Sequence, residues 1–254
     1  MPVEPNPKYT EKYSFDDPNA KVKVFFLQAS RSIRPVWLLE ELGVPYSLDV
    51  NERYDYVKLA PQNFKDRSGS SMGKFPVVYD EGEQLLESGM QIQHLCDKYD
   101  QQGKLMPRID FSNKKSTRER DDITTWLHAS EGTFMTHCLA ILYARWMFPP
   151  EIAKQHPEGV EQMVKKLAPN VVNDLKWLEK TLSENGGWLV GGRLTAADVA
   201  MEFSVDFLLE RELGAKRGDF PGVDKWIERC HQTESYTRAV KKSGHTLQPQ
   251  DSKL

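Results

Sequence analysis

The sequence predicts an α/β domain of βαβ-ββα order followed by an all-α domain. Two observations predict it. The first hundred residues carry a strand–helix–strand pattern, a hairpin and a helix, and no strand signal follows residue 100. A linker from about Gln101 to Phe111 parts the halves.

Lys21 to Leu27 alternates and is rich in Val and Phe, which reads as a strand. Ser32 to Leu42 reads as a helix. Proline is tolerated in a first helical turn and costs about 3 kcal/mol deeper in, so Pro35 fixes the start near Ser32, and Gly43 ends the helix. Tyr46 to Val50 is a second strand. A polar loop runs from Lys58 to Gly73, then Phe75 to Tyr79, a turn at Asp80 to Glu83, and Gln84 to Glu87 form a hairpin. Ser88 opens a helix in a capping box with Gln91, and Ile92, Leu95, Cys96 and Tyr99 share one face.

In the second half, Thr117 to Met147 reads as one long amphipathic helix stopped by Pro149 and Pro150. An apolar stripe from Val160 to Leu182 marks the next helix. Thr195 and Asp198 form a capping box for a helix through Leu209, and Pro221 to Cys230 is a last short helix. The expected divisions are an extension over 1–20, an α/β domain over 21–103, a helical domain over 112–236 and a tail over 237–254.

Composition narrows the function. Among 254 residues, 34 basic and 37 acidic side chains give a net charge of −3, which argues against nucleic acid as a partner. No apolar run approaches a bilayer span. Cys96, Cys138 and Cys230 are far apart and in no metal-ligating spacing, so they read as reduced core thiols and no metal is expected. The polar, acidic N-terminus lacks the pattern of a signal or transit peptide. The chain ends Ser252-Lys253-Leu254, which reads as a peroxisomal address, with cytoplasm the alternative.

Three places carry chemistry. Ser30 lies between the first strand and the first helix, where unpaired helix amides carry partial positive charge. A hydrogen bond to a charged group is worth about 1.5–3 kcal/mol and the helix end about 0.3–2 kcal/mol. Together these lower a bound thiol from about 8.5 by about two units, enough to ionise it at neutral pH. The competing reading of Ser30 or Ser32 is a plain N-cap; Ser32 is the better placed cap, which leaves Ser30 free. Pro76, after Phe75, either starts an edge strand or follows a cis bond that turns the Phe75 main chain toward an extended peptide. Glu87 and Ser88 cap a helix and also suit an ammonium and a carboxylate, while Lys65 and Lys74 flank the loop before Pro76 and suit a second carboxylate or are simply solvated.

Four segments in register resemble the glutathione transferase family: LQASRSIRPVWLLEELGVPY, GKFPVVYDEGEQLLESGMQIQHL, WLVGGRLTAADVAM and FPGVDKWIERCHQTESY, together spanning roughly 21–240. The pattern is most similar to serine-type fungal and bacterial members with Ser-Arg after the first strand. The resemblance implies a thioredoxin-like N-terminal domain that binds glutathione as co-substrate. It implies that Ser30 donates to the sulfur, that Phe75 before a cis-Pro76 pairs with the cysteinyl part, and that Glu87 and Ser88 hold the γ-glutamyl group. Lys65 or Lys74 would meet the glycine carboxylate and Arg31 would add positive potential. Trp126, Phe134 and Met135 would line a pocket for an electrophilic apolar small molecule, or are helix-packing residues, and Asp198 would be structural. Homodimerisation, a peroxidase side activity, and a peroxisomal import receptor as partner complete the expectation. The rival reading is a ligand carrier or regulator without turnover. The loop from Lys58 to Gly73 is longer than the family pattern and lacks its usual Asn-Pro or His-Pro.

Overall fold

The computed structural model describes residues 12–53 and 59–247. The chain divides into two compact units, residues up to 106 with those from 231 onward, and residues 107–230.

In the first unit, β1 (Val22–Leu27), α1 (Ile33–Leu42) and β2 (Tyr46–Asn51) form the expected strand–helix–strand unit, with β1 and β2 parallel. β3 (Val77–Asp80) runs antiparallel to β1, and β4 (Glu83–Leu85) to β3, giving the order β2-β1-β3-β4. The central strand β1 is covered on both faces, as its near-continuous apolar run requires. α1 buries Ile33, Val36, Trp37, Leu38 and Leu39 and ends at Gly43, whose φ of 66° is the left-handed conformation that glycine adopts without a Cβ clash. α3 (Ser88–Tyr99) closes the unit, so the βαβ-ββα reading holds.

The segment after β2 differs from the expected loop. Residues Gln62–Ser68 form a helix, α2. Phe64 anchors it, stacked on Phe75 at 4.4 Å and tilted against Phe25 at 5.9 Å, while Arg67 grips Asp49 of β2 at 2.8 Å. One apolar residue in a seven-residue polar helix leaves no period to read.

The expected tail differs as well. Glu234–Ser243 form a helix, α10, packed on α1. Trp37 Nε1 donates to Ser235 Oγ at 3.0 Å, and the Trp37 and Tyr236 rings meet edge to face at 5.0 Å. Arg238 and Lys242 both bond Glu40, and Gln28 Nε2 donates to the Ser243 carbonyl at 2.8 Å. A charged surface stripe disguised the buried stripe of Ser235, Tyr236 and Ala239.

The second unit is helical: α4 (Lys114–Ala129), α5 (Thr136–Met147), α6 (Pro150–Gln155), α7 (Gly159–Glu184), α8 (Ala196–Glu210) and α9 (Pro221–His231), the last ending at the unit boundary. The expected single helix over Thr117 to Met147 is interrupted by a π-helical segment, Ser130–Met135, where Ser204 Oγ donates to the Ser130 carbonyl at 2.9 Å. Pro149 and Pro150 stop α5, and Pro150 also opens the short α6 that the sequence did not reveal. The Thr195–Asp198 capping box is formed. Asp198 is fully buried and accepts four hydrogen bonds, from Thr195 N, Thr195 Oγ1, Leu189 N and Trp226 Nε1, at 2.9–3.1 Å. No helix among the described residues is long and apolar enough to cross a membrane.

Candidate functional site

Topology brings three of the sequence-predicted positions to one end of the first unit's sheet. The β1–β3 register ends with Phe25 opposite Val77, the residue after Pro76. Ser30 follows Leu27, and Phe75 and Leu27 share one apolar cluster with Phe25, Phe64 and Val77. The first turn of α3 is tied to the same place. Gln91 Nε2 donates to the carbonyls of Pro76 and Leu85 at 3.1 and 2.8 Å, and Arg34 of α1 reaches Ser88 at 2.8 Å.

The turn after β1 is held by buried polar contacts. Ser30 is 4% exposed. Its hydroxyl donates to the Leu27 carbonyl at 2.6 Å and accepts from the Ser32 amide at 3.1 Å, with Ser32 Oγ 2.8 Å away. Since the Ser30 proton goes to Leu27, the Ser32 hydroxyl is the donor of that pair, and it accepts in turn from the Leu27 amide at 3.1 Å. The expectation that Ser32 caps the helix and leaves Ser30 free is therefore corrected: Ser32 makes no side-chain cap, and the Ser30 hydroxyl points inward. Ala29 just before it has φ 50°, a left-handed conformation uncommon for alanine. Arg53 clamps this turn, donating from Nε to the Gln28 carbonyl at 3.0 Å and from Nη2 to the Ala29 carbonyl at 3.2 Å.

The Phe75–Pro76 peptide bond is cis. Among the described residues, the Phe75 amide and carbonyl make no hydrogen bond. Glu87 is exposed at the mouth of α3 with φ 64°, another left-handed non-glycine residue. Strain of this kind gathers where a side chain has to be aimed. The capping box expected between Ser88 and Gln91 is not formed. Gln91 is turned back to the Pro76 and Leu85 carbonyls, and Ser88 receives Arg34 instead.

The basic residues are less gathered. Arg31 is partly exposed in the turn, Lys74 is exposed, and the Lys65 stem lies across Gly73. In the helical unit, Trp126 stacks on Trp177 at 4.1 Å, while Phe134 and Met135 are covered on all sides. Phe134 and Met135 thus pack the helices, the alternative that the sequence left open. One turn from Trp177 on α7, Asp174 Oδ2 lies 2.6 Å from His137 Nδ1, and burial raises the Asp174 carboxyl above its usual range.

Two family models match the chain: "Glutathione S-transferase, N-terminal domain" over residues 25–103 and "Glutathione S-transferase, C-terminal domain" over residues 134–234. The chain belongs to the glutathione transferase family. Among curated members of that family, Glutathione S-transferase 3 of Schizosaccharomyces pombe is 29% identical over 213 residues, covering 79% of each chain. Glutathione S-transferase 1 of Saccharomyces cerevisiae is 26% identical over 242 residues, covering 87% of this chain and 95% of the relative. A solved glutathione S-transferase of Actinobacillus pleuropneumoniae superposes with a TM-score of 0.72 at 28% identity, covering 89% and 94% of the two chains. Ure2p in complex with glutathione superposes with a TM-score of 0.68 at 20% identity, covering 89% and 96%, and shows the shared fold. The thioredoxin-like and all-α arrangement inferred from the sequence is that of the family.

Arg34, Gln91 and Arg53 were missed in the sequence. Arg34 carried a signal, as a cation inside an otherwise apolar helical run, IRPVWLL. Gln91 was read as half of a cap, and Arg53 sits in a stretch without periodicity.

Proposed function

We propose that this family member binds glutathione at the end of the sheet where Ser30, Phe75 and Glu87–Ser88 meet, and transfers it to an electrophilic apolar small molecule. The observation that carries the reading is the unpaired main chain of Phe75 beside the first turn of α3, with Glu87 exposed and Ser88 bonded to Arg34. Phe75 pairs with the cysteinyl backbone. Ser88 and the α3 amides take the γ-glutamyl carboxylate, and Glu87 takes its ammonium. Lys74 or Lys65, with Arg31, supplies positive charge toward the remaining carboxylate.

The sulfur is held by Ser30 after its hydroxyl turns from Leu27. The exchange is favourable by magnitude: a bond to a neutral carbonyl is worth about 0.5–1.5 kcal/mol and one to a thiolate about 1.5–3 kcal/mol. Two donors from Ser32 already occupy Ser30 Oγ, which strengthens the hydroxyl as a donor. The ionised sulfur attacks the electrophile; the protein positions it and stabilises its charge. Peroxidase activity toward organic hydroperoxides belongs to the same proposal, since it uses the same thiolate.

One observation favours a second reading. The Ser30 proton is committed to Leu27 in this structure, which suits a carrier or regulator that binds glutathione without turnover. Retention on immobilised glutathione followed by an assay with a generic electrophile separates the two. Retention with turnover supports the transferase, retention alone supports the carrier, and neither overturns both.

We further propose a homodimer, tested by light scattering, and peroxisomal delivery through Ser252-Lys253-Leu254, which lies outside the described residues. Deleting the three residues from a fluorescent fusion should leave it in the cytoplasm.

A further inference from the structure

Arg34 is unusual in the first unit: a charged residue with 0% exposure, in the first turn of α1 among buried apolar residues. Burying a charge is costly unless it is hydrogen-bonded, so such a residue is kept for what it touches. Its Nη1 lies 2.8 Å from Ser88 Oγ, joining the first turn of α1 to the first turn of α3 across 54 residues of sequence.

The direction of that bond matters. A guanidinium has five donors and no acceptor, so Arg34 must donate and Ser88 Oγ must accept. Ser88 is 5% exposed, and its hydroxyl proton has no acceptor among the described residues. Arg34 fills one lone pair of Ser88 Oγ and cannot receive a proton, so the hydroxyl proton is left for a ligand. The helix amides at the start of α3 point the same way chemically, since they too only donate.

We infer that Arg34 is a positioning residue that turns the Ser88 hydroxyl proton toward the ligand and makes this end of the site selective for a carboxylate. A hydroxyl free to rotate would serve an amide, an alcohol or an acid. One oriented by a guanidinium offers its proton first and so favours groups that accept, a carboxylate most of all. The inference rests on the glutathione reading above and goes further, by naming a residue outside the ligand's reach that decides which ligand end is accepted.

The test compares glutathione with 4-aminobutyryl-cysteinylglycine, the same peptide without its α-carboxylate, on the full chain. Wild type should show a KM for glutathione lower by about tenfold or more, the range expected for one charge-assisted hydrogen bond. Arg34→Met should raise the glutathione KM by about tenfold, leave kcat within about twofold, and leave the KM of the decarboxylated peptide unchanged. In the Ser88→Ala background the Arg34 substitution should add no further loss. Should Arg34→Met fail to fold by circular dichroism, Arg34→Gln carries the comparison: its uncharged amide can accept from Ser88 as well as donate, and selectivity should fall several-fold. Selectivity retained in a folded Arg34 variant, or a KM rising equally for both peptides, overturns the inference. Wild type that binds both peptides equally overturns it while leaving the glutathione site standing; wild type that binds neither overturns the functional reading with it.

Discussion

The Ser30 hydroxyl lies 2.6 Å from the Leu27 carbonyl oxygen and donates to it, so the residue that the family pattern marks for the sulfur also closes the turn after β1. Both roles are measurable in one variant. Ser30→Ala should lower kcat/KM for conjugation by about 10- to 100-fold, the equivalent of one hydrogen bond to a charged group. It should also cost about 1 kcal/mol of stability, because the Leu27 carbonyl loses its donor. Steady-state kinetics and denaturant unfolding report the two effects separately.

Glu40 couples α1 to α10. It accepts from Tyr46 at 2.8 Å, from Arg238 at 2.9 Å and from Lys242. Burial opposes its ionisation, but the hydrogen bonds from Lys242, Tyr46 and Arg238 outweigh it and hold the carboxyl below its usual value. A lowered folded-state value means the contribution is complete above about pH 4.5 and is lost as pH falls through the folded value. Glu40→Gln should therefore unfold at lower denaturant at neutral pH, by about 2–4 kcal/mol, and the gap to wild type should narrow in acid. A gap of constant size across that range would contradict the assignment.

Asp198 behaves in the opposite sense. Burial pushes its carboxyl up to about 6, against the four donors it accepts. A raised value means its contribution is complete below the unfolded value near 4 and declines as pH rises toward 6. Measured against Asp198→Asn, wild type should lose part of its relative stability between pH 4 and pH 6.5. The variant itself should be markedly destabilised throughout, since the amide offers one acceptor where two carboxylate oxygens served.

The three cysteines are buried and form no disulfide, and burial pushes the Cys230 thiol up. None should react with an aromatic disulfide reagent in the folded chain, and all three should react in denaturant. Rapid labelling of the native protein would show that one of them is reachable.

Much of this was legible in the sequence because the physics was local. Alternation in VKVFFL, the glycine after LLEEL and the Thr195–Asp198 box each carry their own signal, and each is present as read. Features decided by distant partners were not legible. Gln91 looked like the second half of a cap, yet it serves the Pro76 and Leu85 carbonyls. Ser32 looked like a cap, yet it serves the Leu27 amide. The helices Gln62–Ser68 and Glu234–Ser243 are anchored by aromatic partners outside them, Phe75 for Phe64 and Trp37 for Tyr236. Arg34 stood in plain view in an apolar run, but its meaning depends on Ser88, 54 residues on.

In the proposed function, Ser30 keeps the sulfur of bound glutathione ionised. The decisive experiment titrates the thiolate absorbance of enzyme-bound glutathione in wild type and in Ser30→Ala. In wild type the bound thiol should titrate about two units below the free value of about 8.5, and in the variant it should return most of the way toward it. Identical titrations in the two proteins would remove Ser30 from that role.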